Sequence, residues 1–241
     1  MNDGTDSSIT NQEENAYSYS FNFPGIRFGT LLKSHPLLKN ITANKDKFAK
    51  EFEQQYKLQK AVFLKQVHSN SIYDVKIDSE ISRHTEGDGL ITNLSNVALI
   101  AFHADCQIAF FIDPKKKVVA IAHAGFRGQT LEAYTECIRK MNLEYNCLAH
   151  DLIVIFAPSL SQRHAEFVNY KQEFPQHLWK YKNCENCFDL KSMAKDELLK
   201  SGVIEKNIFL NPTCTFEDEL RFNSYRRDKT QDRNASYILL N

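Results

Sequence analysis

Apolar runs crowd the centre of the chain. Val97 to Ala104 (VALIAFHA), Ala109 to Ile112 (AFFI) and Val118 to Ala122 (VVAIA) follow one another, the last two separated by the turn Asp113-Pro114-Lys115-Lys116. Near-continuous apolar runs rich in β-branched residues and bounded by an Asp-Pro turn predict strands buried on both faces. Ala61 to His68, Leu152 to Ala157 (stopped by Pro158), Ile208 to Leu210 and Ser236 to Leu240 are also expected as strands, and Ser71 to Ile77 as an extended run. Helical spacing appears in Lys45 to Lys57, where Phe48, Phe52 and Tyr56 recur on one face. It appears again in Thr130 to Met141, through Leu131, Tyr134, Ile138 and Met141. Leu190 to Lys200 is a third helix, with Asp189 placed to cap it and Gly202 to end it. Gly125 to Gly128 is expected to be a turn.

No internal repeat or long linker divides this pattern, so one α/β domain over residues 19–241 is expected. Residues 1–18 are poor in hydrophobes and rich in Asn, Ser, Asp and Glu, and are expected to be a disordered tail. With 241 residues, of which 42% are hydrophobic, the chain can bury a substantial core. Lys plus Arg (30) balances Asp plus Glu (30), which gives no electrostatic case for nucleic acid or an anionic membrane. The polar N-terminus lacks a secretory pattern and no apolar stretch is long enough to span a bilayer, so the cytoplasm is expected. Six cysteines at this length are not a disulfide scaffold, and reduced thiols are expected.

Three ligand-type side chains fall at predicted strand ends: His68, Cys106 and His123. Two imidazoles and a thiolate suit a zinc-type ion, and three protein ligands leave a position open for water or substrate. Around them, Asp105 could fix the turn or orient a histidine. Asp88 has the look of a turn residue between Gly87 and Gly89. His103 is expected to be core or to support the site, with a fourth ligand as the lesser alternative. Arg127 has the fork geometry that suits phosphate, or else binds turn carbonyls. Arg226 and Arg227 are a second candidate pair for phosphate, although with Asp228 beside them an internal salt-bridge network is favoured. Cys184 and Cys187 form a CxxC with no second pair, and a structural or incidental role is expected. No Gly-x-Gly-x-x-Gly or P-loop pattern occurs, so dinucleotide and P-loop functions have no support.

Several segments, in order, resemble the YfiH family, also called the multicopper polyphenol oxidase or laccase-domain family and regarded as a purine nucleoside phosphorylase family. They are Gln66-Val67-His68, Asp88-Gly89-Leu90-Ile91-Thr92, Ala104-Asp105-Cys106 and His123-Ala124-Gly125-Phe126-Arg127-Gly128. Later matches are Ala157-Pro158-Ser159-Leu160, Asp189-Leu190, Cys214-Thr215 and Ser224-Tyr225-Arg226-Arg227-Asp228. The resemblance implies a layered α/β sandwich with a mixed-sheet core and outer helices. That fold is related to the catalytic domain of cytotoxic necrotizing factor and is not a Rossmann fold. It also implies His68, Cys106 and His123 as ligands of zinc, with copper as the alternative metal. The implied activity is phosphorolysis of adenosine, inosine, guanosine or methylthioadenosine, together with adenosine deamination. The partners are then a purine nucleoside and phosphate, with Cys106, His68, His123 and Arg127 as catalytic candidates. Departures from the pattern are the missing arginine of an early Ser-Thr-Arg motif near Phe28-Gly29-Thr30-Leu31, with Arg27 just before it, and Gln107 and Phe126 in place of Pro and Trp. Competing functions are a copper polyphenol oxidase, a cysteine amidase or hydrolase using Cys106 and His123, and a non-catalytic metal-binding protein. Eight histidines, of which His68 and His123 sit well for one site, argue against a multicopper centre.

Overall fold

The structure is a computed structural model, described here for residues 15–17, 19–39, 41 and 44–241. In chain order the strands are β1 (Ala16–Tyr17), β2 (Ile26–Leu31), β3 (Lys60–Val62), β4 (Ile72–Asp74), β5 (Gly89–Thr92) and β6 (Val97–His103). They continue as β7 (Gln107–Asp113), β8 (Val118–Ala124), β9 (Ile153–Phe156), β10 (Ile208–Phe209) and β11 (Asn234–Leu240). The α-helices are α1 (Lys45–Tyr56), α2 (Phe126–Thr130), α3 (Ala133–Tyr145), α4 (Tyr170–Glu173), α5 (Leu190–Lys200) and α6 (Tyr225–Asp228).

Two mixed sheets form, ordered β1-β2-β11-β6-β3 and β10-β9-β7-β8-β5-β4. The pairs β3–β6, β4–β5 and β9–β10 are parallel, and the others are antiparallel. This mixture rules out a doubly wound dinucleotide fold. The reason for unbroken apolar strands is visible in the period-two alternation of side chains. Ile108, Phe110 and Ile112 of β7, Val119 and Ile121 of β8, Leu99 of β6 and Ile238 of β11 share one core between the sheets. The alternate residues Ala109, Phe111, Ala120 and Ala122 face the other way, onto Tyr134, Cys137 and Met141 of α3 and Leu198 of α5. On the far side Ala98, Ile100 and Phe102 meet Phe48 and Phe52 of α1. The layers therefore run helix, sheet, sheet, helix, the layered sandwich expected, with its core split between two sheets.

Local chemistry sets the helix ends. Asn44 caps α1 by accepting from the Lys47 N–H at 2.9 Å, and Asp189 caps α5 through the Ser192 N–H at 3.0 Å. The helix expected from Thr130 starts later, at Ala133, because Glu132 adopts φ 55° and breaks it from the short α2. The expected turn at Gly125 to Gly128 is largely α2 itself. The expected tail falls outside the described residues at 1–14 and 18, whereas Ala16–Tyr17 pairs with Thr30 and Leu31 as β1. Tyr17 packs on Phe222 with ring centroids 5.8 Å apart.

Glu197 of α5 supports the start of α3, its Oε1 accepting from the Thr135 N–H at 2.8 Å. Burial raises its carboxyl to about 7, against the backbone N–H bonds that pull it down. A raised carboxyl contributes stability fully below its ordinary value of 4.5 and loses it as pH climbs through about 7. Glu197→Gln keeps the acceptor and removes the charge. It is expected to raise the melting temperature at pH 8 by roughly 5 °C, from a penalty on the order of 2 kcal/mol, with no gain at pH 5. Equal shifts at both pH values in a thermal-melt series would contradict this assignment.

Candidate metal centre

The loop after β3 departs from expectation. The strand stops at Val62, so His68 does not end a strand. Polar contacts turn the chain instead: Lys65 bridges Glu86, and the Gln66 side chain accepts from the Phe102 N–H and donates to the Phe102 carbonyl, both at 2.8 Å. His68 itself sits at φ 61°, a left-handed conformation that costs a β-carbon residue energy and clusters at functional sites.

Asp88 holds that loop. It is buried, where an ordinary turn residue was expected. Its Oδ2 accepts from the Ser69 N–H at 2.6 Å, the Ser69 hydroxyl at 2.8 Å and the Val67 N–H at 3.3 Å. Its Oδ1 accepts from the His68 N–H at 3.1 Å and bonds His123 Nδ1 at 2.9 Å. One carboxylate thus sets the His68 loop and the His123 ring together. Its carboxyl, though burial would raise it, is held below the usual range chiefly by His123. A motif in which Asp stands between glycines just before an apolar strand was the available signal.

His123 lies inside β8, one residue before its end, and Cys106 lies in the turn between β6 and β7. Asp105, at φ 92°, pins that turn by accepting from the Thr215 hydroxyl at 2.7 Å and the Arg226 N–H at 2.6 Å. It fixes the turn, and its described bonds go to no histidine. His68, Cys106 and His123 each bring one donor atom within 4.8 Å of the others. His68 Nε2 is 3.8 Å from Cys106 Sγ, and the two imidazole centroids are 5.0 Å apart. Burial alone would raise the Cys106 thiol, but its bonds to His123 and His68 outweigh this and bring it down to about 6. Burial likewise opposes charge on His123, yet Asp88 and Cys106 lift it to about 9. A bound cation would take the place of that shared proton.

The donors fit a zinc-type ion in kind and spacing. With His123 Nδ1 bound to a carboxylate, Nε2 is the nitrogen left to coordinate. Gly125 keeps the space open: a Cβ there would stand 2.8 Å from His68 Cδ2 and 3.0 Å from Cys106 Sγ. His68 and Cys106 open onto a cavity of about 510 Å³ that Phe126, Arg127, Phe167 and Arg226 also line. Arg127 is exposed on α2, with its guanidinium 5.6 Å from the Phe126 ring centroid. Phe126, the residue in the tryptophan position, packs on Phe167 at 5.1 Å and Phe174 at 5.4 Å.

The remaining candidates separate. Arg227 is structural, binding the carbonyls of Thr215, Phe216 and Phe222 and the Asp228 carboxylate. Arg226 does not join that network: its guanidinium lies over Phe167 at the cavity wall and donates to the Glu166 carbonyl at 2.9 Å. His103 is core, bonding Ser236 Oγ at 2.9 Å, and burial lowers its imidazole to about 3. Gln107 is buried and receives bonds from Gln129 and Tyr134. Arg27 does not supply the missing arginine: it bonds Asn241 and lies over Tyr56, on the α1 side of the molecule. Cys187 is buried with its thiol on the Arg163 and Glu185 carbonyls, while Cys184 is exposed.

The chain is similar to several known proteins. It is 29% identical over 184 residues to a Campylobacter jejuni protein named purine nucleoside phosphorylase Cj1217c, covering 76% of this chain and 78% of that one. A Clostridium acetobutylicum protein named purine nucleoside phosphorylase CA_C1699 is 30% identical over 188 residues, covering 73% of this chain and 75% of that one. The crystal structure of Bacillus licheniformis YfiH superposes with a TM-score of 0.77 at 22% identity, covering 90% of this chain and 93% of that one, which shows a shared fold. A family model described as multi-copper polyphenol oxidoreductase laccase matches residues 32–241. By that match, across nearly the whole described chain, this protein belongs to the multi-copper polyphenol oxidoreductase laccase family, the family to which YfiH gives its name.

Proposed function

We propose that the chain is a zinc-dependent purine nucleoside phosphorylase that also deaminates adenosine. The observation that carries this is the convergence of His68, Cys106 and His123 at the edge of a cavity whose walls bear aromatic rings and arginines. The names of the relatives point the same way. A cavity of about 510 Å³ is within the range that small ligands occupy. His68, Cys106 and His123 would hold the ion. Zinc in such a site acts as a Lewis acid and activates water.

The chain's own residues supply the rest. Phe126 and Phe167 offer flat apolar surface to a purine. Asp88 keeps His123 in the tautomer that leaves Nε2 free. Arg127 extends from the first turn of α2 with none of the described hydrogen bonds or ion pairs holding its guanidinium, which suits it to phosphate. Phosphate held there can approach the ribose, the positional requirement of phosphorolysis. Deamination needs water at the base and no phosphate. A multicopper oxidase has less support. Among the described residues the candidate donor groups are His68/Cys106/His123 and His164/Cys214/Glu217, neither of them a histidine-rich cluster.

Liquid chromatography of adenosine incubated with zinc-loaded protein tests the proposal. Adenine should form only when phosphate is present, and inosine with or without it. If folded, zinc-loaded protein yields no adenine, hypoxanthine or inosine above a Cys106→Ala control, the nucleoside reading fails. Arg127→Ala should separate the two activities. Losing a charge-assisted contact worth about 1.5–3 kcal/mol is expected to raise the phosphate requirement roughly 10–100-fold. Deamination without phosphate should change less than about twofold, because that reaction never uses the anion site. Equal losses in both would make Arg127 a structural residue.

A further inference from the structure

We propose that His164, Cys214 and Glu217 form a second metal site, separate from the His68, Cys106 and His123 centre, that takes a zinc-class divalent cation. One donor atom from each lies within 4.8 Å of the others. On a tetrahedral zinc, neighbouring ligand atoms stand roughly 3.3–3.8 Å apart, so small side-chain movements close the set. Imidazole, thiolate and carboxylate are the three donor types that zinc accepts from proteins.

The surroundings hold these donors in place. The segments around Ser159 and Cys214 are zipped by a parallel bridge, with the Thr215 N–H on the Ser159 carbonyl at 3.2 Å. Cys214 is buried, and its Sγ accepts the Ser161 N–H at 3.3 Å, the kind of outer hydrogen bond that steadies a metal-bound thiolate. His164 stacks on Phe216 with centroids 4.0 Å apart and planes 13° from parallel, which fixes its ring. Its Nε2 is 3.0 Å from Glu217 Oε1. The Glu217 side chain is 51% exposed, so a cation can reach the group from solvent. Lys191, the nearby ammonium, is committed to the Asn211 carbonyl at 2.6 Å and the Thr213 carbonyl at 3.4 Å. The buried Ser159 hydroxyl, next to Cys214 in the bridge, has no hydrogen-bond partner among the described residues.

Binding releases the Cys214 thiol proton to solvent and involves no change of oxidation state. The ion would staple two segments behind the cavity. One carries Leu160 and Glu166 of its wall, and the other carries Thr215, which holds Asp105 and with it the Cys106 turn. The site is therefore a structural brace, and it does not depend on the nucleoside proposal.

Titration of the chelator-treated full chain with zinc(II) and cobalt(II) tests this. The wild type is expected to bind two equivalents and Cys106→Ala one. The cobalt bound by Cys106→Ala should show a thiolate charge-transfer band that a further Cys214→Ser change removes. Glu217→Gln alters a half-exposed side chain and leaves the core alone. In the Cys106→Ala background it should weaken the remaining equivalent roughly tenfold or more. His164→Gln should do the same, which keeps the test decisive if Cys214→Ser fails to fold. One equivalent in the wild type and none in Cys106→Ala would overturn the proposal. So would a second equivalent indifferent to both Glu217→Gln and His164→Gln.

Discussion

Asp88→Asn is expected to lower stability by about 2–4 kcal/mol and, at matched folded protein, to weaken zinc binding roughly 10–100-fold. The substitution is nearly isosteric, so packing is not the cause. Both carboxylate oxygens face donors: Val67, Ser69 and the Ser69 hydroxyl on Oδ2, His68 and His123 on Oδ1. An asparagine amide must turn its NH₂ toward one of these groups. If it faces Val67 and Ser69, two backbone N–H groups lose their acceptor and the His68 loop is released from its left-handed turn. If it faces His123, the ring is pushed to the other tautomer and its Nε2 no longer offers a lone pair. Denaturant unfolding measures the first effect and competition with a zinc chelator the second. A variant that loses stability yet binds zinc with unchanged affinity would show Asp88 to be a loop anchor only.

Cys106→Ala is expected to abolish both proposed activities, with a larger loss than the 10–100-fold typical of an outer partner. It removes one of three donors and the only thiolate among them, while its short side chain in a turn carries little packing. Stability should therefore shift by about 1 kcal/mol or less. Zinc content by elemental analysis and product formation from adenosine should fall together. Asp88→Asn and Cys106→Ala differ in signature: the first costs both folding and metal, the second metal alone. Retention of stoichiometric zinc at the His68 centre and of full turnover in Cys106→Ala would remove Cys106 from the proposed chemistry.

The chain by itself determined those features that depend on neighbours in sequence. The apolar runs at Val97, Ala109 and Val118 favoured strands buried on both sides over helix segments through their β-branched content and the Asp-Pro turn, and β6, β7 and β8 are such strands. Phe48, Phe52 and Tyr56 could share a helix face, and Asp189 could cap the helix that follows it. The ordered motifs identified the family and pointed to His68, Cys106 and His123 together. Tertiary structure decided the rest. A strand buried on both faces reads the same in one sheet or two, and only long-range pairing through β2 and β11 split the core. The end of β3 at Val62 was hidden because the apolar pattern continues to Leu64, while the chain is turned by bonds to Phe102 and Asp88, 36 and about 20 residues away. Asp88 looked like a turn residue because burial is a property of what packs around it. Arg226 and Arg227 are adjacent in sequence, yet Arg226 lies at the cavity wall on Phe167 and the Glu166 carbonyl while Arg227 turns to the carbonyls of Thr215, Phe216 and Phe222, since a short helix points successive side chains about 100° apart. Residue types and local periodicity are written in the chain, but which donors meet is set by contacts between segments distant along it.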